Sequence, residues 1–199
     1  MAVNVPNNAV SGKFEAVYDI IPITVVILLR ILGIDPGVAT VGFGVIEADG
    51  PNMKMVRCGV ITTAAGLPLS VRLRQIHTDM LELIDLFKPD CIAIEELFFN
   101  TNLTTGISVA HGRGVIILAG EERGIPMYEY TPLQIKQTVA GYGRAEKKQM
   151  MDMVKRLLNL PKVAKPDDAS DALAVAICHF RYSNSLLNIE GSGAACSTI

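Results

Sequence analysis

Six acidic residues stand where acids are either costly or purposeful. Asp35 interrupts the apolar run ILGIDPGVATVGFGVI (31–46), Glu95 and Glu96 close CIAIEE, and Asp167, Asp168 and Asp171 open DDASDALAVAICH. A carboxylate inside a buried strand is expensive to desolvate unless something positive meets it. Asp followed by Pro-Gly is also an ordinary way to begin a turn. Side chains alternate along a strand, so Glu95 and Glu96 point to opposite sides and only one can share a pocket with Asp35. Asp168 and Asp171 are three apart on a helix and share a face. Aspartates at a helix N-terminus also cap it and complement its dipole, a purely structural role that suits Asp167 above all.

The chemistry follows if Asp35, one glutamate and the Asp168–Asp171 pair converge. Two carboxylates about 4 Å apart at an effective dielectric near 20 repel by about 4 kcal/mol. Hard divalent cations remove that penalty, and Mg²⁺ suits carboxylates combined with a substrate phosphate. Two such ions roughly 3.5–4 Å apart stabilise both the attacking and the leaving oxygen of an in-line phosphoryl displacement. No nucleophile constellation competes. His77 lies on an amphipathic helix pattern, His111 precedes Gly-Arg-Gly and His179 lies in an apolar run, and each reads as structural.

The acids need elements to hold them. Ile31, Leu32 and Ile34 predict a buried strand, with Val41, Phe43, Val45 and Ile46 its hairpin partner and MKMVRCGVITT a third strand, giving an antiparallel meander. Leu69, Leu73, Ile76, Met80, Leu83, Ile84 and Phe87 recur at helical spacing, with Ser70 a candidate cap and Lys88-Pro89-Asp90 the stop. CIAIEELFF is then a short buried strand, followed by a loop and a helix that Gly124 closes. IPMYEYTP is a last strand, PLQIKQTVAGYG and AEKKQMMDMVKRLLNL are helices, 161–166 is a linker and the last helix starts near Asp167. The predicted fold is α/β, helices around one mixed sheet.

Half of the 199 residues are hydrophobic, enough for one domain with a real core, and the net charge of −2 does not by itself suggest a nucleic-acid partner. The charge is uneven, however. Between Thr131 and Lys165 stand Lys136, Arg144, Lys147, Lys148, Lys155, Arg156, Lys162 and Lys165 against Glu146 and Asp152, a local excess of +6 that suits either a solvated helix face or a phosphate-tracking surface. The four cysteines are far apart, which suggests neither zinc nor a disulfide framework and fits a reducing cytoplasm. Residues 1–29 are expected to form an extension outside the fold. Their apolar run IIPITVVILL is short for a membrane span and only loosely like a signal-peptide core. The domain is expected over 30–182, and residues 183–199 are expected to be a poorly ordered tail.

The blocks ILGIDPG…GFGVI, AIEELFF, HGRGV, QIKQTVAGYGRAEKKQM and DASDALAVAICH, in that order across about residues 30–182, resemble the RuvC family of bacterial Holliday-junction resolvases. The resemblance implies an RNase H-like fold: a five-stranded mixed sheet, three-stranded antiparallel meander plus parallel strands, flanked by helices. It implies an endonuclease that resolves junctions by paired symmetric nicks, with two Mg²⁺ per site and Mn²⁺ able to substitute. Asp35, Glu95, Asp168 and Asp171 match the metal-binding acids, with a one-residue doubt between Asp167 and Asp168, and Glu96 falls where no acid is needed. Lys136 and Lys147 match basic positions near the scissile phosphate, Lys147 in a catalytic role, and Lys148 adjoins them. Phe98 matches an aromatic that stacks on bases, and Arg113 in HGRG is a further DNA-binding match. The implied partners are four-way junction DNA, a second copy of the chain, and a branch-migration motor complex of RuvA and RuvB.

Two rivals remain. Actin-like and sugar-kinase ATPases share a G-I-D-x-G hairpin, but they need a second phosphate-binding hairpin and a longer chain, and neither is found here. The other is a non-catalytic junction-binding module in which the acids are structural.

Overall fold

A computed structural model describes residues 28–97 and 103–190. The meander is β1 (Leu28–Asp35), β2 (Thr40–Asp49) and β3 (Asn52–Thr62). It is followed by α1 (Leu69–Phe87), β4 (Cys91–Glu95), α2 (Leu103–Glu122), β5 (Met127–Tyr130), α3 (Pro132–Ala140), α4 (Lys147–Leu157) and α5 (Asp167–Glu190). The sheet order is β3-β2-β1-β4-β5. The meander pairs are antiparallel, whereas β1–β4 and β4–β5 are parallel.

β1 sits at the centre and is buried on both faces, which is why it reads as an almost unbroken apolar run. Leu32 and Ile34 enter one core with Ile76, Met80 and Ile84 of α1 and Ile116 of α2. Ile31 enters the other with Cys91, Ala93 and Tyr130 of the sheet and Leu173, Ala176 and Ile177 of α5. Asp35 follows Ile31 and Gly33 at period two and therefore faces α5.

That face is unusually flat. Gly33 of β1 is the register partner of Gly44, and Asp35 of Gly42. A Cβ on Gly33 would stand 2.2 Å from the Ala172 carbonyl oxygen, and one on Gly42 would stand 2.1 Å from that of Asp168. The missing side chains let the first two turns of α5 lie directly on the strands, and this close approach brings the helix acids to the sheet acid.

Element boundaries agree with the pattern in most places. Gly124 and Gly141 take positive φ after α2 and α3, as helix stops that Gly tolerates at no steric cost. Thr131 caps α3 through a capping box with Gln134, and Pro132 takes the first position. Three expectations shift. Pro68, not Ser70, is the N-cap of α1, so Ser70 falls inside the first turn. β1 begins at Leu28, two residues into the expected extension, and α5 continues to Glu190, past the expected start of the tail at Ser183. The rest of the extension and of the tail lies outside the described residues, and none of the helices described is long and apolar enough to cross a membrane.

Because the atoms facing Gly33 are backbone, Gly33→Ala should destabilise the domain by about 1–3 kcal/mol or more. Thermal melting checks this: a fall of several degrees is expected, and an unchanged midpoint would mean that α5 does not rest on β1 this closely.

Candidate active site

β1 and β4 run parallel and end side by side, Asp35 closing one and Glu95 the other. Period-two alternation turns both toward α5, where Asp171 projects from the second turn. Asp35, Glu95 and Asp171 line one open pocket of about 250 Å³ with Lys136 of α3 and Lys147 at the start of α4. Pro132, Ile135, Met150 and Ala174 supply its apolar walls. Sequence reasoning did not single out those four, since nothing in their spacing distinguishes a pocket wall from core. The glycines were readable in principle, because Gly33 shares the period-two face of Asp35 and Gly42 and Gly44 lie opposite.

The electrostatics show how crowded the acids are. Asp35 is pushed up to about 8, first by burial and then by repulsion from Glu95, Asp171 and Asp168, with Lys147 opposing. Burial and Asp171 push Glu95 up to about 7, against the pull of Lys136. Asp171 is also raised, by burial, although Lys147 donates to it at 3.0 Å. The same contact raises Lys147. Asp167 behaves differently. Lys165 donates to it at 2.6 Å and Lys147 lies 3.7 Å away, and together they hold its carboxyl below the usual range. Of the two neighbours, Asp168 is the one whose charge reaches Asp35.

Among the described residues no three acid, histidine or cysteine groups already close on one point as a formed metal cluster. The donor set nevertheless fits hard divalent cations. It is all carboxylate oxygen, and repulsion among these acids adds to burial in raising Asp35 and Glu95.

The other expected residues divide. Lys148 is exposed beside Lys147 and does not line the pocket. Arg113 does not line the pocket either: its guanidinium is largely buried and pairs with Glu129 of β5, tying α2 to the sheet. Phe98 lies outside the described residues. Glu96 follows the end of β4, where its backbone N–H donates to the Tyr130 carbonyl. His77 bonds Glu122 and His179 is buried against Tyr130, both away from the pocket.

Open α/β sheets bind ligands beyond the carboxyl ends of their parallel strands, and oxygen donors beside lysines there fit metal-assisted hydrolysis of a phosphate ester. The sheet order and this arrangement of acids define an RNase H-like nuclease. A family model described as crossover junction endodeoxyribonuclease RuvC matches residues 31–179. The crossover junction endodeoxyribonuclease RuvC of Brevibacillus brevis is 52% identical over 163 residues, 82% of this chain and 98% of that one. That of Desulforamulus reducens is 52% identical over 154 residues, 77% of this chain and 94% of its own. The solved structure of Thermus thermophilus RuvC aligns with a TM-score of 0.73 and 34% identity, covering 79% of this chain and 96% of that chain. A structure of T. thermophilus RuvC in complex with Holliday junction substrate aligns with the same TM-score at 31% identity. At 17% identity and a TM-score of 0.61, the yeast mitochondrial Holliday junction resolvase Ydc2 shares the fold. The chain belongs to the RuvC family of crossover junction endodeoxyribonucleases. It is an enzyme that cuts DNA, and membership of the family implies dependence on a divalent metal.

The raised acids make the metal-free protein sensitive to pH in a defined direction. Asp35 binds its proton up to about pH 8 when folded and loses it near 3.8 when unfolded. Stability is therefore greatest below about pH 4 as far as this group is concerned, and falls as pH rises toward 8. With EDTA present, stability should fall between pH 5 and 8.5 by on the order of a few kcal/mol, read as a lower melting midpoint. Asp35→Asn should flatten that drop and melt higher than wild type at pH 8. Parallel pH profiles for the two proteins would contradict the crowding of these acids.

Proposed function

We propose that this nuclease resolves four-way DNA junctions in the cytoplasm as a homodimer, nicking two opposed strands symmetrically by hydrolysis with two Mg²⁺ per site. The reading is carried by one observation: Asp35, Glu95 and Asp171 face a single open pocket with Lys136 and Lys147 on its rim. Asp35, Glu95, Asp168 and Asp171 would hold the ions, with Mn²⁺ an acceptable substitute. Two divalent ions in such a site activate water and stabilise the attacking and leaving oxygens of an in-line displacement.

The chain's own groups do the rest. The strand acids, anchored at the ends of β1 and β4, keep their donor oxygens in place without reorganisation. Lys147 is held at the pocket by Asp171, so its ammonium would offset the charge that a phosphodiester oxygen gains in the transition state. Lys136, which also lines the pocket, would orient the same phosphate. Lys148 and the exposed bases of α4 extend a positive track for neighbouring phosphates. The products would carry 5′-phosphate and 3′-hydroxyl ends.

The homodimer reading draws on α2. Ile116 and Ala119 of that helix are buried against the sheet, while Ile107 and Leu118 are about half exposed. A helix apolar on both sides calls for a second partner. The Holliday junction named for the T. thermophilus complex supports four-way DNA as substrate. Through the family resemblance alone, a RuvA and RuvB motor complex is the expected source of that substrate.

Cleavage of a labelled synthetic junction tests the assignment. Paired symmetric nicks are expected with Mg²⁺, none with EDTA, and a rate lower by roughly 100-fold or more for Asp35→Asn, since even outer-shell changes at metal sites cost 10–100-fold. Lys147→Ala should keep junction binding and cut turnover by roughly 10²-fold. Binding without cleavage across Mg²⁺, Mn²⁺ and many sequence contexts would instead favour the non-catalytic junction-binding module.

A further inference from the structure

Two turns beyond Asp171, α5 meets the edge of the sheet through a buried polar contact that the acids themselves do not require. His179 is 5% exposed and its Nδ1 lies 2.8 Å from the hydroxyl of Tyr130, itself 7% exposed. Tyr128 covers the imidazole with ring centroids 4.4 Å apart, and Tyr182 packs on Tyr130 at 5.3 Å. Burial holds His179 neutral, down to about 4, so the contact is a neutral hydrogen bond at working pH.

The position of Tyr130 gives this contact its reach. Tyr130 is the register partner of Glu95, and its carbonyl accepts from the N–H of Glu96. Its chain runs directly into α3, where Pro132, Ile135 and Lys136 line the pocket. His179 belongs to the same continuous helix as Asp171, about 12 Å along the axis at 1.5 Å per residue. One buried bond thus joins the wall that carries Glu95 and Lys136 to the helix that carries Asp171.

We propose that Tyr130 and His179 are positioning residues that set the spacing between Glu95 and Asp171 and so tune the affinity of the acid pocket for its divalent cation. The proposal rests on the reading of those acids as metal donors. Losing a group bonded directly to a metal ligand costs about 10–100-fold in metal affinity. Tyr130 and His179 act one step further out, through the β5 backbone and along α5, so the effect expected here is toward the lower end. Tyr130→Phe removes one oxygen, keeps the ring, and leaves the buried His179 nitrogen without its partner.

The test is a titration of wild type, Tyr130→Phe, His179→Leu and the double variant with Mn²⁺, read as the metal-induced rise in melting temperature. Mg²⁺-dependent junction cleavage runs beside it. Tyr130→Phe should shift the metal midpoint upward by about tenfold in both assays and leave the rate at saturating Mg²⁺ close to wild type. The double variant should shift no further than the larger single shift, as expected of two residues acting through one bond. A Tyr130→Phe protein that melts lower in EDTA with an unchanged metal midpoint would make the pair a mere brace and overturn the proposal. So would additive shifts. A wild-type protein with no metal-dependent rise would overturn the reading of the acids and the proposal with it, whereas a normal wild type beside an unshifted Tyr130→Phe overturns the proposal alone.

Discussion

The organisation of this protein turns on mutual repulsion among carboxylates that the fold holds together. Asp35 cannot retreat, because the strand on which it sits is the central one and is buried on both faces. Glu95 ends the parallel neighbour, and Asp168 and Asp171 arrive on a helix seated on glycines. Hydrophobic burial on both sides of the sheet supplies the free energy that keeps the acids near one another, and desolvation first, with their mutual repulsion second, raises the protonation of Asp35 and Glu95. A site of this kind is an instance of local strain stabilised elsewhere in the molecule. A divalent cation relieves it.

The lysines are placed to moderate the same charge. Lys147 bonds Asp171 and approaches Asp167, while Lys165 neutralises Asp167 from the other side. Lysines of the basic segment between α3 and α5 thus pair with the acids at the start of α5, which gives the segment a local purpose beyond its net charge. A chain of net charge −2 therefore carries a locally basic segment next to its acid pocket.

The two cores divide the labour. On the face away from the pocket, α1 and α2 pack against Leu32, Ile34 and Ile92, and ion pairs such as Arg123 with Asp85 link the two helices at the surface. On the pocket face, α3, α4 and α5 all contribute side chains to the site as well as to the core. A packing change on this second face is thus also a change in the geometry of the site, which is why Tyr130 and His179 have a bearing on Glu95 and Asp171 from two helical turns away.

Much of this was legible in the order of residues alone. Period-two and period-three-to-four patterns determined the strands and helices, and alternation put Glu95 and Glu96 on opposite sides, because both depend only on local geometry, while the family pattern picked Glu95. The five ordered blocks pointed to the family for the same reason: they are local. What only tertiary structure decided depends on close approach across the chain. The choice of Asp168 over Asp167 as the acid felt by Asp35 comes from the seat of α5 on Gly42 and from the capture of Asp167 by Lys165. The ion pair of Arg113 with Glu129 exists only because α2 packs beside β5. The Tyr130–His179 bond joins residues 49 apart. No local pattern encodes such contacts, since they exist only once a helix and a strand have been packed at a particular distance.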